Sequence, residues 1–161
     1  FEVLACTGDI LMPAFKAYRS SVQLISAGVL TVLQYNATLY NQLAYPDAQD
    51  QLFPCFSTSS SIYSPRKAGL YRHKVCVQWA QNLTAGAVVL LMIYKSGNLV
   101  AQGTFQGKNV ANQTMKLRFQ DYATSDSDTY EIRIQQNDAG TRSINLGSEK
   151  TYWTAKRIGK Y

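Results

Sequence analysis

Charge is scarce in this sequence: 16 Lys and Arg against 10 Asp and Glu among 161 residues. Histidine occurs once, cysteine three times and proline four times. With His73 alone, the chain has no paired-histidine zinc motif, and it carries no Gly-x-Ser-x-Gly elbow and no phosphate-cradling glycine loop. A catalytic triad also needs a nucleophile and a carboxylate aimed at the histidine, and no such partners are identified; an enzyme is not expected. Cys6, Cys55 and Cys76 are odd in number, irregularly spaced and without the close pairing of a metal clip. One disulfide with a free thiol and three reduced thiols both fit, and Cys76, inside a strand pattern, reads as a small apolar filler. No apolar run nears the roughly 18 residues that a membrane helix requires. The longest, Ala87 to Tyr94, has eight, so no membrane insertion is expected.

What is present is aromatic and neutral-polar. Tyrosine alone contributes 11 residues, and Gln, Asn, Ser and Thr supply much of the rest, a composition typical of β-rich, surface-exposed proteins. The length fits one domain with a full core. The chain opens at Phe1 without Met or a charged-then-apolar leader, which predicts a piece of something longer. Residues 1–11 are expected to be an N-terminal extension or the end of a stalk, and 12–161 a single domain. A net charge of +6 suits contact with an anionic surface such as a cell envelope, or charges that are simply dispersed for solubility.

Period-two alternation recurs along the chain. Phe15, Ala17 and Arg19 alternate with Ala14, Lys16 and Tyr18. From Gly69 onward, Tyr71, His73, Val75, Val77 and Trp79 point one way while Leu70, Arg72, Lys74, Cys76 and Gln78 point the other, a strand with one apolar side. Val22 to Leu33 holds two short apolar pieces broken at Ser26-Ala27-Gly28. Ala87 to Lys95 is apolar on both faces and turns at Ser96-Gly97-Asn98 into Leu99 to Phe105, a hairpin. Met115, Leu117 and Phe119 form another one-sided strand, as do Tyr130, Ile132 and Ile134, and Thr151 to Tyr161 forms the last. Residues 34–68 read as a long loop with a short strand near Ser60 to Ser64. About ten strands punctuated by Gly, Asn and Asp turns predict an all-β antiparallel jelly-roll sandwich. The doubly apolar Ala87–Tyr94 segment needs a cover on its second face; a neighbouring subunit is the expected one, a loop the alternative.

Phe15-Lys16-Ala17-Tyr18-Arg19-Ser20-Ser21, Ala68-Gly69-Leu70-Tyr71 opening a long strand, Met92-Ile93-Tyr94-Lys95-Ser96-Gly97, Tyr130-Glu131-Ile132 and Thr151-Tyr152-Trp153-Thr154-Ala155-Lys156-Arg157-Ile158 occur in an order and spacing that resembles the complement C1q and tumour necrosis factor-like jelly-roll superfamily. The set looks closest to the versions in phage fibres and bacterial surface proteins. It departs from the family at Ala155 and Lys156, where Gly and an aromatic are usual, and in the long 40–58 segment. The resemblance implies a homotrimer packed around a threefold axis by one sheet of each subunit. It further implies a head that ends a stalk and binds a partner through its loops. The function expected on this basis is a non-enzymatic trimeric head domain of a virion or phage fibre, or a similar appendage, on the virion surface. It would contact other fibre subunits and a host surface receptor or glycan. The alternatives are a secreted C1q-domain signalling or pattern-recognition protein and a purely structural trimerisation cap.

Candidate site residues follow. Tyr40, Tyr45, Asp47, Gln49, Asp50 and Gln51 place aromatic rings beside amides and carboxylates, which suits sugar faces and hydroxyls, and make the 40–56 loop the expected receptor contact. Phe15, Tyr71, His73, Val75, Ile93 and Tyr152 are expected in the trimer interface or the core. Asp126 and Asp128, with Asp121 nearby, fit either a calcium loop or ordinary Asp-Ser-Asp turn chemistry; calcium is the only cofactor considered, and none is otherwise expected. Lys150, Lys156, Arg157 and Lys160 make the C-terminus basic. A nucleic-acid surface would interleave exposed aromatics with such residues. Tyr152 and Trp153 read as core instead, so a stalk, a neighbouring subunit or an anionic glycan is preferred and no nucleic acid is expected.

Overall fold

The computed structural model describes residues 14–41, 43–44 and 53–159, with backbone alone at 43, 44, 53 and 54. In chain order the strands are β1 Ala14–Tyr18, β2 Leu24–Ile25, β3 Thr31–Val32, β4 Ala37–Asn41, β5 Leu43–Ala44, β6 Phe53–Pro54, β7 Phe56–Ser57 and β8 Ile62–Tyr63. The longer ones follow: β9 Gly69–Gln78, β10 Val88–Lys95, β11 Asn98–Gln106, β12 Thr114–Ala123, β13 Tyr130–Gln136, then β14 Arg142–Ser143 and β15 Tyr152–Gly159. The described residues contain no helix. One sheet is five-stranded in the order β12-β9-β15-β1-β4; the other is six-stranded, β11-β10-β13-β8-β7 with β3 on β13. The β14–β2 and β5–β6 pairs stand apart, and every ladder is antiparallel.

The two sheets meet through aromatic rings, because large flat side chains bury the most apolar surface per strand position. Phe15 of β1 stacks on Phe56 of β7 at 4.6 Å, and His73 of β9 lies 4.6 Å from Tyr130 of β13. Trp153 of β15 sits among Phe15, Phe56 and Tyr63 at 5.0, 5.7 and 6.1 Å. Trp79, just past β9, is fully buried, with its indole N–H directed at the Met115 sulfur.

Local chemistry explains several joints. Ser96 and Gly97 both have positive φ, 46° and 83°, between the paired Lys95 and Asn98. That is a type I′ turn, whose twist matches the flanking strands. Asp138 accepts from the Thr84 backbone N–H at 3.0 Å and from Arg142 Nε at 2.8 Å, pinning two loops together. These donors hold its carboxyl below the usual range despite burial.

Gly69, at the mouth of β9, has φ 152°, and a Cβ there would lie 2.7 Å from the Gly159 carbonyl oxygen. The close approach follows from the irregular register where β15 ends against Leu70. Gly69→Ala is therefore expected to lower unfolding free energy by about 1–3 kcal/mol. An unchanged urea midpoint would show that the joint relaxes without strain.

One expectation needs correction and another is met in part. Residues 34–68 are not one loop with a single short strand: β4 forms an edge of the five-stranded sheet and β7–β8 a hairpin. Leu39 and Tyr40 are both exposed, so this edge strand shows no one-sided alternation to read. The outer side of β10 is also largely covered by its own chain. Met92, 4% exposed, pairs with Arg133 and Gln102, and the Arg133 guanidinium lies 4.2 Å from the centre of the Tyr94 ring. Long side chains on adjacent strands supply part of the cover, while Val88, Leu90 and Tyr94 keep some exposure.

Candidate functional site

The core dictates what the five-stranded sheet shows on its other side. Phe15, Ala17, Tyr71, His73, Val75, Val77, Trp153 and Ala155 all point inward and are buried. With a period of two, their neighbours must point out. The register then aligns them. Arg118 pairs with Lys74, Lys74 with Thr154, Thr154 with Lys16, and Lys16 with Tyr40, one row crossing all the strands from β12 to β4. Gln120, Arg72 and Lys156 form the row beside it, and Lys116 lies on the opposite flank, paired with Cys76.

A shallow hollow of about 290 Å³ opens on this face, lined by Lys16, Tyr40, Arg72, Lys74, Tyr152, Thr154, Ala155 and Lys156. A neighbouring hollow shares Arg72 and Lys74 and adds Arg118, Phe119 and Gln120. Lys16 sits 4.9 Å above the Tyr152 ring and 3.1 Å from Glu149, an exposed carboxylate at the rim. With its amide turned to match the guanidinium, Gln120 accepts from Arg72 Nε and Nη2 at 3.2 Å each. Among the described residues Lys74, Lys116, Arg118 and Lys156 have no ion-pair partner. The Cys76 thiol, on the same side of β9 but buried, donates to the Lys150 carbonyl, and burial raises its pKa.

The expected site residues distribute as follows. Tyr40 is exposed and belongs to the basic rows. Tyr45, Asp47, Gln49, Asp50 and Gln51 lie outside the described residues, as do Cys6, Lys160 and residues 1–11. Phe15, Tyr71, His73, Val75 and Ile93 lie inside the sandwich of a single chain, whereas Tyr152 is on the outward face of β15. Any subunit contact therefore uses other side chains than those five. Of the basic C-terminal residues, Lys156 joins the outer face while Arg157 turns inward and donates to the Ala68 carbonyl at 2.9 Å.

His73 is sealed. Neither ring nitrogen has a hydrogen-bond partner among the described residues, and burial pushes its pKa down to about 3. A base with no access to solvent and no oriented carboxylate has nothing to act on. Asp126 and Asp128 do not converge. Asp126 is exposed, while Asp128 accepts from the Thr124 and Ser125 backbone N–H groups at 2.7 and 3.3 Å and faces Lys95 Nζ at 3.3 Å. Its lone pairs serve the turn, and among the described residues no group of three or more potential ligands could hold a metal ion.

The basic face is not legible in the sequence as a unit. Arg72 and Lys74 were legible as one side of β9, and Lys116 and Arg118 as one side of β12. Nothing in the one-dimensional pattern said that those strands are neighbours.

No family model and no curated protein matches the chain by sequence. Solved structures do match by shape. Murine APRIL aligns with TM-score 0.61 at 9% identity, over 91% of this chain and 99% of its own. The globular domain of zebrafish complement 1qA aligns with TM-score 0.53 at 13% identity, over 93% and 99%. The PRD1 vertex protein P5 aligns with TM-score 0.56 at 14% identity, over 94% and 100%. The fold is the C1q and tumour necrosis factor-like antiparallel jelly roll, and the structures that share it include a vertex protein.

Proposed function

We propose that this chain is a non-enzymatic, homotrimeric head domain of a virion or phage fibre, or a similar surface appendage, that binds a host-surface receptor or glycan. The observation that carries the reading is the outward face of the five-stranded sheet. It gathers Lys16, Arg72, Lys74, Arg118, Lys156 and Tyr40 on a rigid platform, on a fold shared end to end with a vertex protein. A platform of fixed strands presents such groups with little ordering cost on binding. Three copies joined in one head would raise avidity without new contacts. The subunit contact is assigned to the adjoining edges of the two sheets. There β11 and β12 are terminal strands, and Ala101, Phe105, Leu117 and Phe119 are only partly buried. Exposed edges with apolar side chains are sites that proteins cover.

Light scattering at micromolar concentration is expected to give three times the 18.0 kDa chain mass, and the labelled trimer is expected to bind host cells. A monomer mass would overturn the trimer; a well-formed trimer that binds no cells would leave the structural-cap reading. The likeness to murine APRIL and to complement 1qA supports the alternative of a secreted extracellular ligand. Any longer chain that carries this domain would separate the two: collagen repeats for the secreted protein, a shaft for the fibre.

A further inference from the structure

We infer that the loop segment 20–30, at the end of the sandwich away from both ends of the described chain, docks against an apolar, uncharged surface of a host protein. This rests on the receptor-binding reading and adds a contact that uses neither sheet face. The described chain enters the sandwich at Ala14, paired with Lys156, and leaves it at Gly159, paired with Leu70. Those pairs lie at one end. The loops that follow β1, β9, β11 and β13 lie at the other, where Tyr18 pairs with Tyr152, Gln78 with Thr114 and Val88 with Gln106. Subunits joined through sheet faces or sheet edges leave such an end open, because loops gather where the strands stop.

Ten large apolar side chains are exposed among the described residues, and six belong to this end: Val22, Leu24, Val29, Leu30, Val110 and Leu146. Four of them fall between positions 22 and 30, at 62, 61, 51 and 40% exposure. Single exposed apolar residues are ordinary, whereas a cluster marks a surface that a partner covers. The backbone beneath the cluster is fixed. β2 pairs with β14, the Gly28 N–H donates to the Gln136 carbonyl at 2.7 Å, and the Gln23 amide donates to the Val32 carbonyl at 2.7 Å. The Gly147 N–H, on the Arg19 carbonyl at 2.8 Å, and the Asn145 amide, on Asn112 Oδ1 at 2.9 Å, tie the neighbouring loops together. A segment held in this way loses little freedom when its side chains are covered.

The chemistry of this end selects a protein. No charged residue occurs from Ser20 to Tyr40 or from Ala80 to Ala87, and Asp138 and Arg142 neutralise each other at 2.8 Å. Interface cores between proteins are depleted of charge in the same way. A sugar is gripped by ring faces, and residues 19–30, 80–87, 107–113 and 137–151 include no aromatic side chain. A membrane surface is held by clustered basic residues and interfacial Trp or Tyr, neither of which the 20–30 segment has.

The test is binding of the labelled, intact head to host cells, to cells shaved with proteinase K, to cells whose glycans are oxidised by periodate, and to neutral phosphatidylcholine vesicles. Binding is expected to survive periodate and to vanish on shaved cells, with none to vesicles. Leu24→Ser and Val29→Ser are each expected to weaken cell binding by about tenfold. Leu99→Ser, an exposed apolar position at the opposite end, is expected to weaken it by less than about twofold. Thermal melts and light scattering confirm the fold and mass of each variant. Unchanged affinity in both loop variants, binding kept on shaved cells, or binding lost with the glycans overturns the inference and leaves the receptor reading standing. Vesicle binding that Leu24→Ser abolishes overturns it in favour of lipid, and a wild-type mass above that of the variants overturns it in favour of a second copy. A well-formed trimer that binds no cells overturns the receptor reading beneath it.

Discussion

Lowering the pH from 6.5 toward 3 is expected to strip stability from this fold through its single histidine. His73 is fully buried, neither ring nitrogen has a partner among the described residues, and its pKa is pushed down to about 3, chiefly by desolvation and against the attraction of Asp121. The direction follows from proton counting. Below its ordinary value near 6.5 the histidine of the unfolded chain takes up a proton, while the folded ring stays neutral. The unfolded state therefore gains about 1.4 kcal/mol per pH unit. The stability is fully present above pH 6.5 and declines until the folded ring itself titrates. Two units cost about 2.7 kcal/mol, a large part of the 5–15 kcal/mol typical of a domain. Asp128 and Asp138, whose carboxyls are held below the usual range, add their own loss only at more acidic pH. Urea unfolding at pH 7 and pH 4.5 measures the difference. His73→Phe, which keeps a ring against Tyr130 and Trp153, should flatten the curve across that window. A wild-type protein equally stable at both values would sink the idea.

Trp153→Ala is expected to cost about 3–5 kcal/mol, the range for truncating a large buried aromatic. Trp153 has no exposed surface and touches both layers of the sandwich. Phe15 meets it edge-on at 5.0 Å and Phe56 at 5.7 Å, while Tyr35 lies 6.0 Å away and His73 stacks at 6.1 Å. Removing it leaves a void at the junction of β1, β7, β9 and β15, and β1, β9 and β15, tied by backbone ladders on both sides, cannot collapse into it. Trp153→Phe should recover more than half of the loss, because the indole nitrogen has no partner among the described residues to lose. The midpoint of urea unfolding is the readout, with the slope unchanged if the transition stays two-state. A loss under about 1 kcal/mol would mean that the neighbouring rings repack freely.

The fold was legible wherever one side of a strand is apolar. β1, β9, β12 and β13 stand where the alternation of Phe15, Tyr71, Met115 and Ile132 puts them, and the Ser96-Gly97 turn joins β10 to β11 where its chemistry demands. Legibility failed at β4, an edge strand whose Leu39 and Tyr40 both meet solvent. It was partial on the outer side of β10, where Met92, paired with Arg133 and Gln102, is buried while Val88, Leu90 and Tyr94 keep some exposure. In each case the missing information was the identity of the neighbour. Of the candidate site, Tyr40 and Lys156 were legible singly, and their membership of one surface was not.

By itself, then, the sequence determined the strands with one apolar side, their inward residues, His73 among them, and the tight turns. Periodicity and turn chemistry are local properties, carried by residues a few positions apart. Only the tertiary structure decided that β12, β9, β15, β1 and β4 lie side by side, in a register that lines Arg118, Lys74, Thr154, Lys16 and Tyr40 into one row. Those residues come from distant parts of the chain. Pairing between distant strands is set by closure of the whole core, which no local pattern encodes.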